Sequence, residues 1–219
     1  MRLEQLISPS VPTLVPGDSA NRALALMEEN NLTQLPVVLE DNYEGLVQEN
    51  DLLDLDKADL SLTETNLLNY KPAIPVSGHP FEALRITNQM NLSVLPVIDH
   101  EHKYLGAITK DTLLKYITEN SGINAPGGII VLEVAPRNYT LYEIARICEN
   151  EDVTIMNTQV HANETGNLEI TLKLNRTAID AVVSSFERYN YTVKEVYGEE
   201  SHDDDIAGKY NLLMNYINM

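Results

Sequence analysis

The chain has 219 residues, enough for one large domain or two small ones, and carries 33 acidic against 15 basic side chains, a formal charge of −18. This charge repels phosphodiester backbones and anionic membrane surfaces, so we expect neither a nucleic acid nor a membrane as a partner. The single cysteine, Cys148, excludes a disulfide framework and a cysteine-rich metal site. No apolar stretch has the length of a signal peptide or of a membrane span, which predicts a soluble, cytoplasmic protein.

One pattern occurs twice in the first half of the chain. The tetrapeptide L-P-V-V around Pro36, a hairpin and Gly45 recur as L-P-V-I around Pro96, a hairpin and Gly106. The two prolines lie 60 residues apart and the two glycines 61, so one hairpin is a residue longer. A fixed period indicates two copies of one structural unit. Because a unit this short buries too little core alone, we expect the copies to pack on each other.

Each copy predicts the same order of elements. In the first, an extended segment at 11–15 precedes a helix with apolar residues at i, i+3, i+4 and i+7 over 20–27. Two strands at 35–39 and 43–47 follow, and a second helix runs over about 50–56. In the second copy the first helix begins at Pro80 with Ala83, Ile86 and Met90 inward, and the last helix spans about 111–119.

The second half of the chain begins after a segment rich in Gly and Pro at 122–128, which cannot continue a helix. Beyond it, strands are predicted at 129–134, 154–161, 168–174 and 191–197, with helices after the first and third strands. The order βαββαβ is that of a ferredoxin-like fold. The acidic tail at 200–219 has apolar residues at helical spacing, which predicts a short amphipathic helix.

The repeated pattern of a helix, L-P-V-V, a hairpin, G-h-h-(S/T)-x-x-D and another helix resembles a CBS domain, and two copies resemble a tandem CBS pair, or Bateman module. The βαββαβ order resembles an ACT domain, and the whole arrangement with its linker is similar to acetoin utilisation proteins of the AcuB type. The predicted fold class is therefore α+β (α/β), a tandem CBS pair of two βαββα repeats followed by a ferredoxin-like ACT-like domain. The predicted boundaries are 1–60 and 61–121 for the repeats, 122–128 for the linker, 129–199 for the ACT-like domain and 200–219 for the tail.

The resemblance implies that an adenosine-containing ligand, AMP, ADP, ATP or S-adenosylmethionine, binds in clefts between the copies. The Asp of the motif then holds the ribose hydroxyls, and the Ser or Thr bonds to ribose or phosphate. A carboxylate can accept from two vicinal hydroxyls, and a helix start offers free N–H groups to phosphate. The first copy has Gln48 at the hydroxyl position and Asp51 at the carboxylate position, whereas the second has Thr109 and Thr112 there.

These departures make the two clefts different. Asp51 favours the first cleft as a ribose site, whereas Thr109, with Lys110 and Lys115 nearby, favours the second as a phosphate site. Two residues on the first strands complete the predicted lining: Thr13 and Ala73. In the alternative interpretation Asp51 only caps a helix and Thr109 only satisfies a backbone group, as Asp and Thr at helix starts commonly do.

Other chemistry is less favoured. ACT domains, by resemblance, often bind amino acids at a Gly-bearing turn, but the turn at 135–139 has no Gly, which favours dimerisation through the sheet instead. His202 beside three aspartates offers metal ligands, although a charge run is usually solvated. No Ser/His/Asp, paired-carboxylate or phosphate-loop arrangement occurs at a suitable spacing, so we do not expect an enzyme.

The sequence therefore predicts a homodimeric regulatory protein whose CBS pair senses an adenosine-containing ligand and relays it, through rearrangement of the dimer, to a protein partner. The alternative is a ligand-free scaffold for dimerisation and interaction, and a remote third option is metal-ion sensing.

Overall fold

A computed structural model describes residues 2–57 and 59–198. The chain divides into two compact units, with the division between Ile117 and Thr118, close to the predicted linker at 122–128. Both units mix helices with β-sheets, as predicted. The predicted tail at 200–219 lies outside the described residues. Within the described part of the chain, no helix combines the length and the apolar character needed to cross a membrane.

The first unit contains two copies of one arrangement. The first copy consists of α1 (Ala20–Asn30), β1 (Gln34–Leu39), β2 (Asn42–Gln48) and α2 (Glu49–Leu53). The second consists of β3 (Ile74–Pro75), α3 (Pro80–Gln89), β4 (Val94–Ile98), β5 (Tyr104–Thr109) and α4 (Lys110–Asn120). Short 3-10 helices at Leu3–Leu6, Leu62–Glu64 and Leu67–Asn69 lie before and between the copies.

Equivalent strands pair in the same way in both copies. β1 is antiparallel to β2, and β4 is antiparallel to β5. In the second copy β3 adds a parallel pairing at Ile74 and Val97, whereas in the first copy the equivalent strand is reduced to a single bridge between Leu14 and Val37. The predicted βαββα order is thus confirmed, with its first strand short in both copies.

Helix ends explain part of the repeated sequence. Ser19 caps α1, because its Oγ accepts the N–H of Arg22 at 3.3 Å. Asn31 and Asn91, which directly follow α1 and the α3 cap, have φ angles of 52° and 50°. Asn tolerates this left-handed conformation better than most residues, since its short side chain can bond locally. The two asparagines therefore end equivalent helices in equivalent ways.

Each copy is also contacted by the segment that precedes the other copy in the chain. The N–H of Ser8 donates to the carbonyl of Ala107 at 2.9 Å, and the N–H of Leu46 donates to the carbonyl of Tyr70 at 2.8 Å. These approaches explain the motif glycines. A Cβ on Gly106 would clash with Ile7, and one on Gly45 would lie 2.9 Å from the carbonyl oxygen of Leu68.

The first unit has two apolar cores. One lies mainly in the first copy, and the other joins residues of the second copy with Tyr43 and Leu46 of β2 and with Leu3 and Leu6. The prediction that Met90 points inward is wrong, because its side chain is 40% exposed. α3 ends at Gln89, so the inward stripe is formed by Ala83 and Thr87, which are four residues apart and both buried.

In the residues that the structure describes, the second unit has one four-stranded sheet and two α-helices that lie wholly within it. Its elements are β6 (Ile129–Val134), α5 (Leu141–Asn150), β7 (Ile155–Ala162), β8 (Leu168–Leu174), α6 (Asp180–Arg188) and β9 (Thr192–Tyr197). The strands lie in the order β7-β8-β6-β9, and every neighbouring pair is antiparallel. Buried residues from both helices, such as Ile144 and Phe186, pack against the sheet residues Ile170 and Leu172. This arrangement confirms the predicted ferredoxin-like fold.

Candidate functional site

The two copies are joined by a hydrogen-bonded seam formed by Thr33, Gln34 and Ser93. Gln34 is 6% exposed, and its Oε1 accepts from the backbone N–H and the hydroxyl of Ser93, each at 2.6 Å. The Thr33 hydroxyl donates to the same oxygen at 3.1 Å, and the Thr33 N–H donates to Ser93 Oγ at 3.2 Å. Thr33 and Ser93 lie 60 residues apart and are repeat equivalents, so the seam crosses near a pseudo-twofold axis.

Two cavities lie beside the seam. The first cleft has a volume of about 480 Å³ and is lined by Thr33, Gln34, Gln48, Glu49, Asn50, Met90, Asn91, Ser93 and Lys110. The second cleft has a volume of about 440 Å³ and is lined by Ser8, Ser10, Val11, Asn30, Asn31, Leu32, Ser93, Thr109, Lys110 and Asp111. The two clefts are repeat-equivalent, since Gln48, Glu49 and Asn50 in one correspond to Thr109, Lys110 and Asp111 in the other. Both volumes lie in the range of ligand pockets, about 300–1,000 Å³.

The motif residues of the first copy lie together at the end of β2. Gln48 lines the first cleft, and its Nε2 donates to Oδ2 of Asp51 at 3.1 Å, in the first turn of α2. Burial, together with the nearby charge of Asp51, raises the pKa of Tyr70. This ring therefore lies within electrostatic range of the carboxylate. Tyr70 is also the repeat equivalent of Ser10, which lines the second cleft.

The two motif residues of the second copy, Thr109 and Thr112, hydrogen-bond to each other at the start of α4. Oγ1 of Thr109 accepts the N–H of Thr112 at 3.1 Å, and the two hydroxyls are 2.9 Å apart. Thr109 lines the second cleft, whereas Thr112 is half-buried beside it. A hydroxyl that accepts an N–H of the first helical turn is an N-cap interaction. This copy therefore offers a threonine hydroxyl to the cleft but no carboxylate at the motif position.

Lys110 reaches both clefts. Its Nζ donates to Oδ1 of Asn91 at 3.1 Å, and the side chain lines the first and the second cleft. Lys115, further along α4, is exposed. Thr13 is exposed and Ala73 packs partly buried against the core of the second copy; neither is among the described residues that line the clefts.

Sequence reasoning missed several residues of the clefts. Ser8 and Ser10 come from the segment before the first copy, Asn31 and Asn91 come from the ends of equivalent helices, and Glu49 is the repeat equivalent of Lys110. The two asparagines occupy equivalent positions in the repeat, and this equivalence was the sequence signal that could have found them. The serines carried only a weak signal, two hydroxyls shortly before a strand, because their position depends on the crossing of one copy over the other.

The second unit has a cavity of about 400 Å³ beside the 3-10 turn Pro136–Asn138. Arg137, Tyr139 and Tyr189 contribute to its lining, as does Tyr191, whose hydroxyl donates to Oε2 of Glu143 at 3.0 Å. The described residues contain no group of three or more His, Cys, Asp or Glu side chains that could hold a metal ion. His202 and its neighbouring aspartates lie outside the described residues.

Comparison with known proteins identifies the same two repeated segments. The family model "CBS domain" matches residues 3–58 and 67–119. Among solved structures, a CBS-pair and ACT-domain protein from Thermotoga maritima is 23% identical, with a TM-score of 0.48, and the match covers 54% of this chain and 98% of that one. CBSX2, a CBS-pair protein from Arabidopsis thaliana, in complex with AMP is also 23% identical, with a TM-score of 0.47 and coverage of 54% and 96%. The matched residues, 3–58 and 67–119, are therefore two CBS domains in tandem, and they form a CBS pair.

Proposed function

We propose that this chain is a non-enzymatic, cytoplasmic regulatory protein whose CBS pair senses an adenosine-containing ligand, AMP, ADP, ATP or S-adenosylmethionine. The observation that carries the proposal is the pair of repeat-equivalent clefts at the seam, each lined by a motif residue and by residues of both copies. CBS pairs, by the resemblance described above, hold adenosyl ligands at these positions.

The first copy has the fuller set of motif groups. Gln48 lines the first cleft, whereas Asp51 is not among the described lining residues and is connected to the cleft through its hydrogen bond from Gln48. In the proposed complex Asp51 accepts hydrogen bonds from the two ribose hydroxyls. Lys110 supplies the positive charge for a phosphate. The second cleft contributes the Thr109 hydroxyl and the same lysine, but Thr112 cannot replace a carboxylate.

A ligand in either cleft touches both copies and so can favour one arrangement of the pair over another. Differential affinity of the ligand for two arrangements is what shifts such an equilibrium. We propose that a homodimer transmits the change to a protein partner. Leu53 and Leu114, which are 61 residues apart and repeat equivalents, are 63% and 61% exposed and offer matching apolar contacts to a second copy.

Thermal unfolding with AMP, ADP, ATP, S-adenosylmethionine and divalent cations tests the proposal. A ligand at 100 times its dissociation constant adds about 2.7 kcal/mol of stability, which gives a clear rise in the midpoint. We expect Asp51→Asn to weaken binding roughly tenfold to a hundredfold, the range for one charged hydrogen bond. Asp54→Asn is the matched control, since it removes the same charge at the exposed end of α2. Equal effects of the two variants would contradict the assigned role of Asp51.

One observation favours the scaffold as a second function. Gln48 bonds to Asp51, and Thr109 bonds to Thr112, so each motif pair is satisfied without a ligand. A scaffold predicts no midpoint shift with any of these ligands. It also predicts that Thr109→Val changes only stability, by the roughly 0.5–2 kcal/mol of a lost cap. A midpoint shift with the cations alone would instead support metal-ion sensing.

The order of a CBS pair and a ferredoxin-like unit also supports the proposed likeness to AcuB-type proteins with an ACT-like domain.

A further inference from the structure

The two clefts share one cationic side chain. Among the described residues that line them, Lys110 is the only lysine or arginine, and it lines both. The charged residues otherwise present are acidic, Glu49 in the first cleft and Asp111 in the second. A phosphate bound in either cleft without Lys110 would therefore face a carboxylate. One ammonium group thus has to serve two anion sites.

The repeat shows how this arrangement arises. Lys110 occupies in the second copy the position that Glu49 occupies in the first, directly after the last strand of each copy. In a symmetrical pair of clefts each would have a lysine of its own. Here the Lys110 Nζ bonds to Oδ1 of Asn91, another residue of the second copy, and both residues line the first cleft. Lys110 also lines the second cleft, next to its own motif residue Thr109.

We propose that the two clefts bind phosphorylated ligands in competition, because Lys110 can neutralise a phosphate in only one of them at a time. This inference rests on the proposed function. Occupation of the first cleft leaves the second with the Asp111 carboxylate and no cation. The second phosphate then binds roughly tenfold to a hundredfold more weakly, the range for one charged hydrogen bond. A neutral nucleoside has no phosphate to neutralise, so its binding to one cleft leaves the other unaffected.

Calorimetric titration of the full chain with AMP and with adenosine tests the inference. With AMP we expect one strong site and a second at least about tenfold weaker, whereas adenosine fills two sites without interaction. Glu49→Lys gives the first cleft its own ammonium, and the ratio of the two AMP affinities should then fall to the ratio that adenosine shows, which reports the ribose contacts alone. Lys110→Gln should bring AMP binding down to or below the level of adenosine, because the phosphate then faces Glu49 or Asp111 without a cation. Adenosine binding should stay unchanged, which also verifies that the variant is folded.

The outcomes separate the two proposals. Two equal and independent AMP sites in the unmodified protein would overturn the shared-lysine inference and leave adenine-nucleotide sensing in place. An affinity ratio for AMP that stays larger than the ratio for adenosine in Glu49→Lys would overturn it as well, because the excess asymmetry would then not come from the shared lysine. Absence of binding by both AMP and adenosine would overturn the proposed nucleotide sensing together with the inference.

Discussion

Replacing Gln34 by Leu tests whether the seam holds the two CBS domains together. Leu has a similar size but no acceptor, so the N–H and hydroxyl of Ser93 and the hydroxyl of Thr33 all lose the oxygen that they share. The two hydroxyls can rotate toward water, whereas the part-buried Ser93 N–H is left without a partner, which costs about 1–3 kcal/mol. We expect the free energy of unfolding of the first unit to fall by about 2 kcal/mol.

Scanning calorimetry of the full chain measures this effect. For a domain of about 100 residues, 1 kcal/mol shifts the midpoint by about 4 °C, so the transition of the first unit should fall by about 8 °C. Amide exchange adds a local readout, since the Ser93 and Thr33 amides should lose protection. Gln89→Leu is the matched control, because Gln89 is exposed and its side-chain oxygen accepts from the exposed Arg85, at 2.8 Å, within the same helix. A Gln34→Leu midpoint no lower than that of Gln89→Leu would refute the role of the seam.

Three further predictions follow from single residues. Gly106→Ala should lower the free energy of unfolding by about 2–4 kcal/mol, because the new Cβ meets Ile7 and φ is +139°. Gly17→Ala is the control: apart from its own chain neighbours, no described residue has a heavy atom within 4 Å of the new Cβ, so stability in denaturant titrations should change by at most about 1 kcal/mol. Burial raises the pKa of the Cys148 thiol from 9.0 to about 11. The unfolded chain therefore loses this proton at a lower pH than the folded protein, so the free energy of unfolding is unaffected by the thiol below pH 9 and falls as pH rises from 9 to 11. The Cys148→Ala variant should lack this slope in midpoints measured across that range, and an equal slope would contradict the assignment. Leu114→Glu should shift the protein from dimer to monomer in light scattering, and an unchanged mass would exclude Leu114 from the dimer contact.

The sequence predicted the fold well wherever one local pattern determined one element. The internal repeat predicted two equivalent copies, and the alternation from Leu168 to Leu174 predicted β8, whose buried residues lie on one face. Met90 was the exception, because apolar spacing alone does not reveal that α3 ends one residue earlier. A helix end depends on backbone conformation, here the left-handed Asn91 that follows, rather than on hydrophobicity.

The clefts were only partly predictable from the sequence. Gln48, Thr109 and Lys110 follow directly from the repeated motif, since that motif fixes their positions after the last strand of each copy. Ser8 and Ser10 do not, because they reach the second cleft only through the pairing of Ser8 with Ala107, about 100 residues along the chain. Long-range contacts of this kind depend on how the copies cross, and no local pattern in the sequence encodes the crossing.

Comparison of the two copies separates positions that the fold requires from positions at which the two clefts differ. Where the backbone demands a residue, the copies agree: an asparagine at each left-handed helix end and a glycine at each close approach. Where a side chain only faces a cleft, they differ, with Glu49 opposite Lys110 and Asn50 opposite Asp111. Each cleft has one acidic residue, Glu49 or Asp111, and both share Lys110, so only the second copy supplies a cation. The two CBS domains therefore contribute unequally to the charge that a phosphorylated ligand meets, and Glu49→Lys, which gives the first copy a cation as well, tests this implication directly.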